Sequence, residues 1–411
     1  MKILFIHQNF PGQFKFLAPA LAEQGHNVFA LAVGDKPGKW KGVQVIAYKP
    51  DRFTSKDVHP WLSDFETKVI RGEAVYRKLT AMKERGLKPD LIIAHHGWGE
   101  TLFIKHVWPS AKVGIYCEFH YSAKGLDIGF DPEFPANVDA ECKMQMRNLN
   151  NHMHFDIADA AISPTKFQSS TFPEQFQRKI SVIHDGIDTH ALRPDPEAVY
   201  KLENEILLDR DAEVITFVNR NFEPYRGYHI FMRALPKLLE DRPKLRVLMI
   251  GGDDVSYGSA PADGSWKERF IQEVKSQISE ENWQRVHFLG LLTYAQYVEA
   301  MKVSSLHVYL TYPFVLSWSL LEAMSLGVPI VGSDTEPVRE VIKDGTTGRL
   351  VDFFSVDHLA ATVTNLLDDD DERERLSSNA LEFVRNNFDL HDVCLPGQLK
   401  WVEKLSAGLL H

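Results

Sequence analysis

The stretch Phe314-Val315-Leu316-Ser317-Trp318-Ser319-Leu320-Leu321-Glu322-Ala323-Met324-Ser325-Leu326-Gly327-Val328-Pro329 decides the fold. It follows an apolar run, Leu306 to Leu310, that reads as a buried strand. A Gly-x-Pro break then leads into a second apolar run, Pro329 to Val331. The order is strand, turn, helix, strand. Ser317 and Ser319, with Trp318 and Leu320, stand where the helix starts, and the backbone N–H groups there lack partners and attract anions. One carboxylate, Glu322, sits about one turn further on. An anion cradle beside a hydrogen-bond acceptor suits a ligand with both phosphates and sugar hydroxyls, such as a nucleotide-sugar.

The same alternation extends in both directions. Ile3–Ile6, Val28–Val33, Leu91–Ala94, Val113–Tyr116, Ala160–Ile162 and Ile180–Ile183 read as strands. Between them, Gln13–Gln24, Asp64–Arg85, Glu100–His106 and Ala136–Phe155 read as helices, which is the rhythm of a parallel sheet. The rhythm breaks at Arg193-Pro194-Asp195-Pro196, a credible linker. It resumes with strands at Val214–Val218, Leu245–Ile250 and Val286–Leu289 and helices at Tyr228–Glu240 and Trp266–Ile278. The expectation is α/β: two doubly wound Rossmann-like domains facing a cleft, over residues 1–192 and 193–388, with a helical tail over 389–411. Asp368–Asp371 with the Glu-Arg-Glu-Arg after it lies between two helices and reads as a solvated helix cap.

A chain of 411 residues, 44% of them hydrophobic, can bury two large cores. Cys117, Cys142 and Cys394 are few and widely spaced, so neither a disulfide framework nor a cysteine zinc site is indicated. The opening Met-Lys-Ile-Leu-Phe-Ile-His turns polar too soon for a signal peptide, and no apolar run approaches the ~20 residues that span a bilayer. These features point to a soluble, cytoplasmic protein with at most peripheral membrane contact. Residues 1–195 carry 24 Lys+Arg against 22 Asp+Glu, and residues 196–411 carry 22 against 34. An acidic second half is a poor nucleic-acid binder.

Several strand ends carry chemistry. Val218-Asn219-Arg220-Asn221-Phe222-Glu223-Pro224-Tyr225-Arg226-Gly227 follows a strand and precedes a helix, so Arg220 and Arg226 stand at the ligand-binding edge, where arginines can pair with a diphosphate. The first strand ends His7-Gln8-Asn9-Phe10-Pro11-Gly12-Gln13, and Gly12 would let backbone approach a ligand closely. The chain contains no Gly-x-Gly-x-x-Gly, which argues against a dinucleotide oxidoreductase. Asp90 to Glu100 ends another strand. His95 and His96 there would point to opposite faces if extended, a poor metal pair, and His95 with Trp98 reads as an acceptor-side polar loop. Val113 to Tyr121 ends a further strand with Glu118 and His120, followed by the acidic Asp127, Asp131 and Glu133.

The Leu-Leu-Glu-Ala-Met-x-x-Gly-x-Pro loop resembles the donor loop of the retaining glycosyltransferases of family 4, whose GT-B architecture sets two Rossmann-like domains across a cleft. In that family the second Glu of a pair matches Glu322, and the first falls at Phe314, which cannot accept a hydrogen bond from a sugar hydroxyl. The resemblance makes Arg226-Gly227 the counterpart of a Lys-Gly, and Phe288-Leu289-Gly290-Leu291 the stretch whose backbone meets the base. It implies that Gly12 touches donor phosphates and acceptor. It also leaves Glu118 or His120 in the place of the family's His-Asp. The activity implied is transfer of a sugar, with retention, from a nucleoside diphosphate donor to a hydroxyl acceptor, a carbohydrate or other alcohol, possibly lipid-linked. No metal and no separate cofactor are expected, since no Asp-x-Asp stands at a strand end beside the cleft and arginines can supply the positive charge instead. An epimerase of the same architecture and a non-catalytic nucleotide-sugar binder are the alternatives.

Overall fold

The computed structural model describes residues 1–203 and 205–410. The chain forms two compact units. The first is Met1–Gly186 joined by the chain from Leu390 onward, and the second is Ile187–Asp389. The break therefore falls at Gly186/Ile187 rather than at the proline-rich 193–196 segment. Arg193 and Pro194 belong to the second unit, where Leu192 O accepts from Ser325 Oγ at 2.5 Å and Gly327 packs against Pro194.

The first unit is built on an eight-stranded sheet: β1 Lys2–Ile6, β2 Asn27–Val33, β3 Gly38–Trp40, β4 Val43–Tyr48, β5 Leu91–His95, β6 Lys112–Tyr116, β7 Ala160–Ser163 and β8 Ile180–Val182. Their order across the sheet is β3-β4-β2-β1-β5-β6-β7-β8, parallel except for β3. Ile3, Leu4, Phe5 and Ile6 are fully buried, as a central parallel strand covered on both faces requires. The chain leaves β1 towards β2 and later returns to β5 on its other side. The sheet's switch point thus lies beyond the ends of β1 and β5, at His7 and His95.

The second unit has a two-stranded ribbon, β9 Tyr200–Lys201 and β10 Leu207–Leu208, and a six-stranded parallel sheet. The sheet comprises β11 Val214–Asn221, β12 Arg246–Gly252, β13 Val286–Gly290, β14 Leu306–Tyr309, β15 Ile330–Ser333 and β16 Arg349–Val351, in the order β13-β12-β11-β14-β15-β16. Its switch point lies between β11 and β14. The helix Tyr228–Asp241 begins directly after Gly227, whose φ of +68° favours glycine, and a Cβ there would sit 2.3 Å from Leu310 Cβ. Asp369 caps the helix Asp370–Phe388 by accepting from Glu372 N, so the acidic run is a helix start.

Some expected elements differ in extent. Gln13–Gln24 divides into a 3₁₀ turn, Gly12–Phe14, and a helix, Leu17–Glu23. Of Glu100–His106 only Ile104–Val107 is an α-helix, because the turn through Gly99 at φ +93° delays it. No helix among the described residues is long and apolar enough to cross a membrane.

The helix Leu395–Ala407 completes the first unit's core. Trp401 is 2% exposed, and a Cβ added to Gly114 on β6 would lie 2.5 Å from the Trp401 ring and 2.6 Å from Leu405. Trp401→Ala should destabilise the first unit by about 3–5 kcal/mol. Chemical denaturation read by a probe in that unit, with Trp401→Phe as the milder comparison, checks this.

Buried imidazoles give a second expectation. Burial holds His7 and His307 at about 4 and His184 at about 3, below the ordinary 6.5. The unfolded chain takes up protons on these groups below about pH 6.5, whereas the native chain refuses them until its own lower values. Unfolding thus binds protons, and this stability is complete above about pH 6.5 and lost as pH falls through the interval to about 4. Urea midpoints at about pH 7.5 and about pH 5 should differ, the acid one being lower.

Candidate functional site

In the second unit the switch point is organised by Arg226. Its residue is 5% exposed, and Nη1 donates to Thr311 Oγ1 at 2.8 Å and to Val315 O at 2.9 Å. Both acceptors lie in the segment that follows β14. Ser317 N donates at 2.8 Å to the phenol oxygen of Tyr309, itself 3.5 Å from Arg226 Nη1. Arg226 thus grips the turn from Thr311 to Ser317 from beneath. By its place in the sequence Arg226 reads as a diphosphate contact; its hydrogen-bond partners are the protein's own backbone and hydroxyls.

Ser317 caps the helix Trp318–Ser325, its Oγ lying 3.4 Å from Ser319 N and 3.0 Å from Ser319 Oγ. Glu322 is 6% exposed, and its Oε1 accepts from the phenol of Tyr294 at 2.9 Å. The Tyr294 phenol is held above its ordinary range by burial and by the Glu322 carboxylate. Tyr294 is itself more than half exposed, as is Leu291. Leu291, Tyr294 and Glu322 therefore bring an apolar side chain, an aromatic ring and a carboxylate to one region of the second unit.

Arg220 lies where the β11–β12 register slips, between Val218 and Asn221. It is exposed, with no side-chain hydrogen bond or ion pair among the described residues. Of the two arginines it is the one presented to solvent. Between them, Glu223 is fully buried and accepts from three successive amides, Ser256 N at 3.3 Å, Tyr257 N at 3.2 Å and Gly258 N at 3.0 Å. Such a run of amides is an anion nest, here filled by the protein's own carboxylate.

Phe314 is 5% exposed. Its ring stands edge-on to Tyr225 at 5.6 Å and to Tyr257 at 5.1 Å, with the Arg226 guanidinium 5.8 Å from its centroid. These are the contacts of a packing residue. An aromatic ring replaces the carboxylate and fills the space between the donor turn and the 256–258 segment.

In the first unit the two strand ends at the switch point meet. The His7 ring lies 5.3 Å from His95 and 4.9 Å from Trp98, and His95 stacks on Trp98 at 4.2 Å. His7 Nδ1 accepts from Asn9 N at 3.0 Å, which leaves Nε2 to donate to Gln13 Oε1 at 2.7 Å. Gly12 lies directly against this ring, and a Cβ there would fall 2.2 Å from His7 Nε2. The glycine is required by its own histidine.

His95 is 1% exposed and neutral, held well below its ordinary value by burial and then by His7 and His96. Its Nδ1 accepts from Gly97 N at 3.2 Å, so the proton resides on Nε2. Glu118 Oε2 is 3.8 Å from that nitrogen. His96 was expected on the opposite face. Instead the strand ends at His95, and the two rings lie nearly parallel, 6.4 Å apart. His96 is tied to Tyr116 O at 2.8 Å and Asn151 Oδ1 at 2.6 Å, a structural assignment.

These groups open on a pocket lined by His95, Trp98, Glu118, Tyr121, Asp64, Lys68, Arg71 and Arg147, among others. Of the two candidates for the family's His-Asp, Glu118 lines this pocket. His120 turns to His152 and Phe172, at 5.9 Å and 5.7 Å. Lys68, Arg71 and Arg147 were not anticipated. They lie on the charged helices Ser63–Glu84 and Ala140–Ile157, where one basic residue reads like another. No group of three or more His, Cys, Asp or Glu among the described residues is arranged to hold a metal ion.

Comparison with known proteins agrees with this geometry. Residues 24–192 match the glycosyl transferase family 4 group, and residues 201–383 match glycosyl transferases group 1. The chain is 27% identical over 211 residues to the D-inositol 3-phosphate glycosyltransferase of Corynebacterium efficiens, covering 51% of this chain and 47% of that one. It is 23% identical over 338 residues to the enzyme of the same name from Thermobispora bispora, covering 79% and 71%. The match to the phosphatidyl-myo-inositol mannosyltransferase of Mycolicibacterium smegmatis is 30% over 179 residues, covering 43% and 41%. The chain thus spans about half the length of the first of these relatives. Among solved structures, Anabaena HepE in complex with UDP and glucose superposes with a TM-score of 0.69 at 18% identity, covering 99% of this chain and 100% of that one. Sucrose-phosphate synthase from Thermosynechococcus elongatus gives 0.73 at 17%, again covering 99% and 100%. The two parallel sheets, the Ser317-capped helix carrying Glu322, and these matches together show that the chain belongs to the group 1 glycosyltransferases of family 4.

Proposed function

We propose that the protein transfers a sugar from a nucleoside diphosphate donor to a hydroxyl acceptor with retention of anomeric configuration, without a bound metal. The observation that carries this reading is the arrangement at the second unit's switch point: an exposed Arg220, a helix start capped by Ser317, and Glu322 bonded to an exposed Tyr294. Solved relatives in the same fold hold UDP, or UDP and glucose.

The difficult step is departure of the diphosphate as the sugar gains oxocarbenium character. Arg220 and the amides opening the helix Trp318–Ser325 would stabilise the growing negative charge. Glu322 would accept from the ribose hydroxyls, with Tyr294 sharing the same carboxylate. Leu291 would lie against the base. Arg226 would act at one remove, as a positioning residue that fixes the turn. In the first unit, Gly12, His95, Trp98 and Glu118 would meet the acceptor. His95 is neutral with its proton on Nε2, so it would donate a hydrogen bond rather than remove a proton. No side chain is assigned as a nucleophile. The departing phosphate would take the acceptor proton on the same face of the sugar. A hexose is the favoured sugar, and the curated relatives named for inositol phosphate and phosphatidyl-inositol make a polyol acceptor, free or lipid-linked, the class to try first.

Three substitutions divide these roles. Arg220→Ala should lower kcat by about 10²–10³-fold with an unchanged thermal midpoint, since it removes only leaving-group stabilisation. Glu322→Ala should weaken UDP binding about tenfold by calorimetry. Arg226→Ala should lower both the midpoint and UDP affinity, because Val315 O and Thr311 lose their donor together. Unaltered UDP binding in all three variants would remove the donor site from this unit.

The stereochemistry and metal independence are checked separately. NMR of the product linkage should show the donor's anomeric configuration, and EDTA should leave turnover unchanged. Inversion, or activity restored only by Mg²⁺ or Mn²⁺, contradicts the reading.

A further inference from the structure

Glycosyl transfer to a plain alcohol needs no positive charge at the acceptor, yet the first unit's pocket is crowded with it. We propose that this pocket binds a phosphate monoester carried by the acceptor, held by Lys68, Arg71 and Arg147 together with Nε2–H of His95; the acceptor part of this rests on the transferase reading above.

Three observations carry it. First, the cations outnumber the carboxylates. Lys68, Arg71 and Arg147 line the pocket with only Asp64 and Glu118 among its acidic residues. Asp64 is taken up by Lys68, four residues further along the same helix, and its carboxylate is 49% exposed. Neither Arg71 nor Arg147 has a carboxylate within ion-pair distance among the described residues. Arg147 is held in place, its guanidinium 3.6 Å from the centroid of the Tyr121 ring, leaving its edge to bond elsewhere.

Second, the cations crowd one another. Burial lowers the Lys68 ammonium, Asp64 opposes that, and Arg147 and Arg71 push it lower still. A doubly charged anion among the three would relieve this repulsion.

Third, His95 aims a hydrogen-bond donor into the same space. The residue is 1% exposed, its tautomer is fixed by Gly97 N, and Nε2–H finds no acceptor within hydrogen-bond distance among the described residues. Glu118 Oε2 at 3.8 Å is too far. Three cations and one buried N–H match the three free oxygens of a monoester. A neutral sugar hydroxyl would leave the arginines with nothing to pair.

The test is calorimetric titration of inorganic phosphate into the full chain in the presence of UDP, which occupies any phosphate site in the second unit. Binding should be seen in the wild type and in Arg220→Ala. It should be at least about tenfold weaker in the double variant Arg71→Ala/Arg147→Ala and partly restored in Arg71→Lys/Arg147→Lys. Lys68 is left intact because it is buried. Should the double variant fail to fold by thermal unfolding, His95→Phe keeps the stack on Trp98 and removes only the ring nitrogens, and it too should weaken phosphate. Phosphate binding that is absent in the wild type, or equal in wild type and variants, overturns the proposal. UDP affinity in the same variants reads the second unit alone. Absence of UDP binding in the wild type with phosphate binding retained refutes the transferase reading and leaves the anion site standing. A soluble sugar monophosphate and phosphatidic acid vesicles, each carrying a phosphate monoester, then identify the source of the group. Variant-sensitive binding of either supports the site, and the one that binds tells whether the acceptor is free or lipid-borne.

Discussion

Burying a guanidinium is unfavourable by several kcal/mol unless its donors meet acceptors. Arg226 meets that requirement with Thr311 Oγ1 and Val315 O, and the second unit's site depends on the exchange. The turn after β14 has no regular structure of its own from Tyr312 to Leu316, so its path is set by what holds its carbonyls. With Val315 O fixed from below, Ser317 N reaches the phenol of Tyr309, Ser317 Oγ meets the helix start, and Glu322 arrives one turn later beside Tyr294. Both bonds come from the one nitrogen Nη1, while the flat face of the guanidinium lies near Tyr257 and Phe314, a surface that the compact ammonium of a lysine lacks.

The same physics explains Phe314. A carboxylate there would sit among tyrosines, beside an arginine whose Nη1 already donates to Thr311 and Val315. Glu223, three residues before that arginine, instead spends its charge on the amides of Ser256, Tyr257 and Gly258. One carboxylate thus stabilises the segment on one side of the aromatic cluster, and one guanidinium the segment on the other.

What the sequence made legible was governed by period and by backbone. Strands such as Ile3–Ile6 and Leu306–Leu310 are continuous apolar runs, so their type and place follow from burial alone. The capped helix carrying Glu322 was legible because its serines and its Gly-x-Pro end are local signals. The β3–β4 pair was missed because Gly38–Trp40 is short and largely exposed, an edge strand with little hydrophobic pattern. The unit boundary was misplaced because prolines mark a break in local structure, whereas compactness is decided by packing such as that of Pro194 on Gly327. Lys68, Arg71 and Arg147 were illegible for a different reason. Their meaning comes from which helix faces meet, and each stands in a helix already rich in charge. Arg226 was read as a ligand contact because a cation at a strand end has two uses, and only its partners distinguish them.

The Trp401 packing bears on how the chain comes to be folded at all. The first unit is assembled from two pieces of sequence, and the residue that seals β6 leaves the ribosome about 200 residues after β8. At a synthesis rate of roughly 5–20 residues per second, the first sheet waits on the order of 10–40 s with the backbone of Gly114 uncovered. The second unit is continuous and meets no such delay. The nascent chain is therefore expected to complete its later half first, while its earlier half stays a client for whatever shields exposed strands.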